Sequence, residues 1–463
     1  MGKVKFFFSF VVFMLISFEL SAQRIHGYAC RGDLEKLDSL LNSGYDINVG
    51  NKYDFQRSLL HYAIGCRQPD ILSYLIEKGI NVNILDEEKR SPLFVAAKQN
   101  QTEFIKILID AGAEANVIDK YGLTPLHFSV LQNNMAVTKI LVEKGADLEV
   151  ANNKGAVALE IAEREGWMEI YDYLIENGAD KNKVRKHKVK GKYMGQKRPG
   201  LIPQMFAPNF ISTETHIQNG IFHPNGKEFY FTKTGRGFRE GRLMVSKRKG
   251  RRWTKPQQMT ITGDYGAIDP FISIDGNQLF YCSNRPVIEG EPPQKHVDIW
   301  VLNREGKWWS EPIHLGNEVN DDEFDWFPSV SRKGTLYYSK QRKSNDILYA
   351  EFKNGKWQKG IVMSDSINSE KVDYDPYIAP DESYLIFASN RPGGYGSNDL
   401  YISFKNEDGT WSKAKNMGPE INSEYSEFTP GISPDGKYFF FSNSKAGVGD
   451  LYWVDAQIIE NLR

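Results

Sequence analysis

Four short segments, Ser58-Leu59-Leu60-His61, Ser91-Pro92-Leu93-Phe94, Thr124-Pro125-Leu126-His127 and Val157-Ala158-Leu159-Glu160, follow one another at intervals of 33 residues. Gly79, Gly112, Gly145 and Gly178 keep the same interval and close each unit, while an earlier unit ends at Gly44, two residues out of step. A fixed period of this length is incompatible with a single closed core. It prescribes a stack of like helical hairpins, each too small to bury its apolar face without its neighbours. Five such units occupy residues 23–183.

The repeated residues resemble ankyrin repeats: a Thr-Pro-Leu-His-type start, an Ala-rich first helix, a leucine-rich second helix, then Gly-Ala and Asn. The resemblance implies an α-solenoid whose groove holds a protein partner and which carries no catalytic residues. His61 and His127 fall at the turn position of the repeat, where an imidazole bridges backbone groups rather than doing chemistry. Three cysteines, Cys30, Cys66 and Cys282, make no metal-binding spacing. Cys30 and Cys66 lie in adjacent units. Equivalent positions of neighbouring repeats sit about 10 Å apart, beyond the ~7 Å that a disulfide spans, so three free thiols are expected and a bridge is the alternative.

Residues 1–22 combine Lys3 and Lys5, an apolar run from Phe6 to Phe18 interrupted at Ser9, and small residues at Ser21-Ala22. This is the pattern of a cleaved secretory signal, so the mature chain is expected outside the cytoplasm, in a periplasm or beyond the cell, with no integral membrane insertion. A formal net charge of -1 gives no drive toward nucleic acid. Residues 184–200, with Arg185, Lys186, Lys188, Lys190, Lys192, Lys197 and Arg198, lack apolar periodicity and read as a basic linker.

Beyond it, over residues 201–463, the spacing changes to short aromatic strands. Five times a strand enters a tight polar turn and returns: Ile221 to Thr232, Phe271 to Ser283, Ser329 to Ser339, Tyr377 to Ser389 and Gly431 to Ser442. A third strand opens with Asp298, Asp346, Asp399 or Asp450 (Arg242 in the first unit), and a fourth carries Trp253, Trp309, Trp357 or Trp411. Each unit is a four-stranded meander, the blade of an all-β propeller. The opening aspartates are expected to hold the preceding loops, and the Trp column to pack between blades. The fifth unit lacks its outer strand, whereas Phe206 to Ser212 reads like the end of one, so the first residues of the propeller should complete the last blade and close a ring of five. The segments Ile432-Ser433-Pro434-Asp435-Gly436-Lys437 and Ser389-Asn390-Arg391-Pro392-Gly393-Gly394-Tyr395-Gly396 resemble the WD-like repeats of TolB-type envelope proteins, as found in exported proteins of Bacteroidetes-type bacteria.

Strand parity places the loops between strands two and three, and those between blades, on one face. That face should collect Arg285, Arg391, Asp269, Asp321, Asp322, Asp325, Asp373, Asp375 and Glu427, with Trp326, Tyr374 and Phe428. Carboxylates, arginines and aromatics around a central depression suit a sugar, a peptide or a cation. Alternatively the acids cap strands, and Arg391 ties its own loop. Lys233 to Lys255 is a basic edge of the first blade. The Asp321-Asp322-Glu323 cluster lacks the ligand register of a calcium loop, and no nucleophile, zinc or phosphate-loop motif occurs. No cofactor is expected. The favoured function is a non-catalytic exported adaptor for protein or glycan partners; the alternative is a glycan-processing hydrolase with acids at the central depression.

Overall fold

The computed structural model describes residues 24–185, 189–213, 215–234, 241–341, 345–445 and 448–463. The signal-like segment therefore lies outside the described residues. The chain divides after Lys186 into two compact units. Among the described residues no helix is long and apolar enough to cross a membrane.

The first unit is five helical hairpins: α1 (24–31) with α2 (Leu34–Asn42), α3 (Leu59–Gly65) with α4 (Pro69–Glu77), α5 (Pro92–Lys98) with α6 (Thr102–Asp110), α7 (Pro125–Leu131) with α8 (Met135–Glu143), and α9 (Ala158–Glu165) with α10 (Met168–Glu176). Ser91 and Thr124 cap α5 and α7 by accepting the N–H of Phe94 (3.2 Å) and His127 (3.3 Å), and Pro92 and Pro125 preset the first turn. The histidines bridge backbone groups as expected. Nδ1 of His61 accepts Ser58 N–H (3.2 Å) while Nε2 donates to the carbonyl of Arg90 in the next repeat (3.0 Å). His127 repeats this with Thr124 N–H (3.1 Å) and the Ala156 carbonyl (3.2 Å). Burial lowers the pKa of His61, so the ring stays neutral in this role. One apolar cluster runs unbroken from Ile25 to Val184, as neighbour-only packing requires.

Two expectations for this unit are corrected. Cys30 and Cys66 form a disulfide with Cα atoms 5.1 Å apart. The 10 Å spacing holds for equivalent positions, but these cysteines are separated by 36 residues rather than 33, so the irregular first unit brings α1 onto the end of α3. Arg185, read as linker, belongs to the stack. Glu160 stands where other repeats place His61 and His127, and it accepts Arg185 N–H (3.2 Å), Nε (2.9 Å) and Nη2 (3.0 Å), closing the last repeat.

The described residues of the second unit form five antiparallel sheets of four or five strands and one separate two-stranded hairpin. The first three strands of the blades are His216–Phe222, Glu228–Thr234 and Arg242–Lys249; Ala267–Ile272, Gln278–Ser283 and Asp298–Glu305; Asp325–Val330, Leu336–Gln341 and Asn345–Ala350; Asp373–Ile378, Tyr384–Ser389 and Asp399–Phe404; and Glu427–Ile432, Tyr438–Lys445 and Val448–Asp455. The first strands touch one another in a closed cycle, which makes them the inner wall of a ring. The turns from strand one to strand two place a residue with φ of 63–86° at Gly226, Gly276, Gly334 and Gly436. In the fourth blade Glu382 takes this left-handed position (φ 62°). Its carboxylate is held by Ser331 Oγ (2.9 Å), Lys405 Nζ (2.9 Å) and Lys333 Nζ (3.2 Å), ties that a glycine could not make.

Closure follows the sequence. Gln204–Met205 pairs with the third strand of the fifth blade, Gln204 opposite Trp453 and Met205 opposite Tyr452. Phe206 is fully buried among Phe222, Phe229, Phe440 and Trp453. The linker reading is corrected further here, because residues 189–200 belong to the propeller: Lys190 bridges to Arg252, Trp253 Nε1 donates to the Gly191 carbonyl (2.8 Å), and Tyr193 donates to Asp435 (2.6 Å) while packing on Tyr438 and Phe222. With Tyr193 and Met194 as its chief apolar anchors, the segment shows no periodicity to the eye. The outer strands also differ from expectation. In blades three and four the strand that completes the sheet is Ile361–Val362 or Lys415–Asn416, downstream of Trp357 and Trp411. The tryptophans sit in a separate outer hairpin or bridge, and do pack between blades: Trp309 Nε1 reaches Tyr230 of the preceding blade (3.2 Å), and the Trp357 ring lies 6.4 Å from Phe280.

Deleting Leu201 to Thr213 should leave the fifth blade with an unpaired strand and an opened ring. The expected result is a lower melting temperature and aggregation relative to the intact chain, measured by calorimetry and light scattering. In the helical unit, Cys30→Ser should destabilise by ~2–4 kcal/mol, the usual contribution of a bridge closing a loop of this length. Urea unfolding followed by helical circular dichroism reads that change.

Candidate functional site

At the middle of each first strand the pairing register slips, between Gln218 and Ile221, Ile268 and Phe271, Trp326 and Ser329, Tyr374 and Tyr377, and Phe428 and Gly431. At each slip one residue is left-handed: Asn219, Asp269, Phe327, Asp375 and Thr429, with φ between 47° and 54°. These are β-bulges at the five equivalent positions of the ring. An ordinary strand sends successive side chains to opposite faces, whereas a bulge turns two consecutive ones the same way. Tyr374 and Asp375, and Phe428 and Thr429, therefore face one cavity together.

The bulged amides are bonded to the neighbouring blade. Asp269 N–H donates to Thr232 Oγ1 (3.0 Å), Asp375 N–H to Ser339 Oγ (2.9 Å) and Asn219 N–H to Ser442 Oγ (3.3 Å). The fourth blade has Ala388 where these have a hydroxyl, and there Thr429 N–H donates instead to Asp375 Oδ2 (3.1 Å).

The cavity encloses about 380 Å³ at the ring axis, and every blade contributes to it: Gln218, Asp269, Trp326, Tyr374 with Asp375, and Phe428. Asn390, Asn398 and Ser426 add amides and a hydroxyl from the loops, and Asn345 adds an amide from the start of a third strand. The Asp269 and Asp375 side chains are buried (residues 5% and 7% exposed). Burial pushes Asp269 up to about 7, opposed by its bond to the Asn219 side chain. Burial and the charge of Asp269 push Asp375 well above the ordinary carboxylate range.

Of the residues singled out in the sequence, Asp269, Asp375, Trp326, Tyr374 and Phe428 line this cavity; Asp321, Asp322, Asp325, Asp373, Glu427, Arg285 and Arg391 do not. The acids two residues before the bulge point the other way and fasten the loop behind them. Asp325 accepts Asp321 N–H (3.2 Å) and pairs with Lys340 (3.2 Å); Asp373 accepts Ser369 N–H (2.6 Å) and Oγ (2.7 Å); Glu427 accepts Ser423 N–H (3.1 Å) and Asn443 Nδ2 (2.6 Å). Arg391 is spent on its own loop: it pairs with Asp373, donates to the Ile367 carbonyl (2.6 Å) and lies over Tyr401 (4.8 Å). Arg285 lies 5.9 Å from the rings of Tyr265 and Trp300. Two of the four strand-opening aspartates hold loops as expected: Asp399 accepts the N–H of Tyr395 (2.7 Å) and Gly396 (3.0 Å), and Asp298 binds Gln294 Nε2 and His314 Nε2 (both 2.9 Å). Among the described residues no group of three or more His, Cys, Asp or Glu side chains is placed to hold a metal ion. Part of the basic edge, residues 235–240, lies outside the described residues.

The lining residues Gln218, Asn345, Asn390, Asn398, Ser426 and Thr429 were not singled out. A signal for the axis was present: Asp269-Pro270, Phe327-Pro328, Asp375-Pro376 and Thr429-Pro430 put proline inside strands that read as central, and proline there marks a bulge.

The family described as ankyrin repeats (3 copies) matches residues 25–119 and 100–185, in agreement with the helical unit. No curated protein matches the chain.

Raised acids give the propeller a pH signature. Asp269 and Glu427, both raised to about 7 by burial, bind protons more tightly folded than unfolded. Their contribution to stability is fully present below about pH 4 and is lost as the pH rises through about 7. The propeller's melting temperature should therefore fall between about pH 5 and about pH 8, and Asp269→Asn should flatten that slope. A slope unchanged in the variant would contradict the assignment.

Proposed function

We propose that this chain is a non-catalytic, exported binding protein that holds partners at two places, the repeat stack and the axial cavity of the propeller. The cavity carries the proposal: all five blades contribute to one concave site, at a volume near the lower end of the ~300–1,000 Å³ typical of ligand pockets. The helical unit supports a protein partner. Leu85 and Ile118, 33 residues apart beside the turns of successive repeats, are 43% and 47% exposed, as are Tyr53 and Phe55 at the first turn (63% and 52%). Apolar side chains repeated at this spacing form a surface stripe that a protein can cover. Export to an envelope compartment is supported by the pattern at residues 1–22, the likeness to TolB-type repeats and the Cys30–Cys66 bridge, since such bridges persist in oxidising compartments.

One observation favours the hydrolase reading: Asp269 and Asp375 are two buried carboxylates facing the same cavity. Against it, Asp375 is already engaged in holding the Thr429 amide. Capture from a native envelope extract separates these readings. The full chain should retain a partner that is lost with Trp326→Ala and Phe428→Ala, or with the paired change Leu85→Asp and Ile118→Asp, depending on which site it occupies. Chromogenic glycosides should show no turnover. Turnover that collapses in Asp375→Asn while binding persists would establish the enzyme instead.

A further inference from the structure

The chemistry of the axial cavity narrows its ligand, given that the cavity is a binding site. Carboxylates, arginines and aromatics on one face are compatible with several ligands while the arginines are free to point inward. They are not free: Arg391 is committed to Asp373 and the Ile367 carbonyl, and Arg285 lies against Tyr265 and Trp300. Lys340 is committed to Asp321 and Asp325. No lysine or arginine is among the described residues lining the cavity. Two carboxylates, 5% and 7% exposed, thus face one space with no basic side chain between them among the described residues. The donors described for them are neutral, the Asn219 side chain for Asp269 and the Thr429 amide for Asp375. Around them stand three aromatic side chains, Trp326, Tyr374 and Phe428.

We infer that the cavity binds a primary ammonium carried on an aliphatic stem, such as a lysine side chain of a partner or a free alkylamine. An ammonium brings three donors to carboxylates that have few, and a positive charge that relieves their mutual repulsion. Its charge is also favoured over aromatic faces, and the methylene stem suits the apolar wall. A neutral sugar would stack on the same rings but leave the repulsion in place. The raised proton affinity of the pair fits this picture: without a bound cation, Asp269 holds a proton up to about pH 7.

Binding and proton release are then linked. A group titrating near 7 is about one-tenth ionised at pH 6 and about nine-tenths at pH 8, so amine affinity should rise about tenfold across that interval. The groups facing this pair are the buried Cys282 thiol behind it, the Tyr374 phenol, the Asp325–Lys340 pair and His216, which reaches the site through Gln218 (3.2 Å). Of these Asp325, pushed up to about 8 chiefly by burial, titrates nearest the same range.

The test uses the full chain, titrated calorimetrically with n-butylamine, with Nα-acetyl-lysine amide and with N-acetylglucosamine at pH 6 and pH 8. Saturable amine binding that tightens about tenfold toward pH 8 is expected, weakened tenfold or more at pH 8 by Asp375→Asn or Asp269→Asn. His216→Gln should keep the pH dependence. Tighter binding of the lysine derivative identifies a protein-borne amine, and equal or tighter binding of butylamine a free one. Amines that fail to saturate at millimolar concentration, or bind the wild type with no pH dependence, overturn the inference without needing any variant. If N-acetylglucosamine alone binds, the inference falls and the cavity remains a binding site. If no probe binds and the envelope partner is indifferent to Trp326→Ala and Phe428→Ala, the binding-site reading falls with it.

Discussion

Five strands arranged around an axis leave five inner edges with no sixth strand to pair them, and the satisfaction of those backbone groups governs the second half of this protein. An unpaired amide buried there would cost several kcal/mol in aggregate. The chain meets this by bulging each inner strand at the same place and passing the freed N–H to the next blade, onto Thr232, Ser339 or Ser442. These bonds run between blades rather than within them, so they also fix the blades' rotation about the axis. For Phe327 the Cys282 sulfur stands in the hydroxyl's place, and the remaining blade departs further. Where Ala388 offers no oxygen, a carboxylate from the inner strand, Asp375, takes over the acceptor's task.

That arrangement gives chemically alike residues opposite fates. Asp373 and Asp375 are separated by one residue, both deeply buried, yet the first is paired with Arg391 and holds a loop while the second faces the cavity beside Asp269. Register alone separates them. A position two residues before the bulge points to the loop, and the bulge itself points to the axis. Burial raises acids in both places, Glu427 behind the bulge as well as Asp269 at the axis, but only the axial pair adds the charge of one acid on the other.

Much of this was legible from the residues. The 33-residue interval specified the helical stack, the five aromatic hairpins specified the blades, and the missing outer strand specified closure by Gln204–Met205. What resisted reading has a common cause, which is departure from period. Cys30 and Cys66 were judged by the spacing of regular repeats, but the first unit is irregular and brings them within bonding reach. Residues 189–200 dock through Tyr193 and a few backbone bonds, without a pattern to announce it. Simple alternation along a strand places Tyr374 and Asp375 on opposite faces, and only the bulge unites them. Arg285 and Arg391 sit on loops of the expected face, and their direction is decided by partners distant in sequence, such as Ile367 and Asp373.

The pairing of Gln204 with Trp453 also orders events in time. Contacts in the helical stack are local, so that unit can form from the chain as it emerges. The propeller instead joins its first residues to nearly its last, and the loop-closure entropy of that union is met only once the final strand exists. Until then the apolar face around Phe206 has no finished wall, which makes the unclosed ring the state most exposed to aggregation and proteolysis. Once zipped, the same contact has the converse effect: opening the ring requires release of both chain ends of one blade together, so this union guards the folded propeller kinetically as well as energetically.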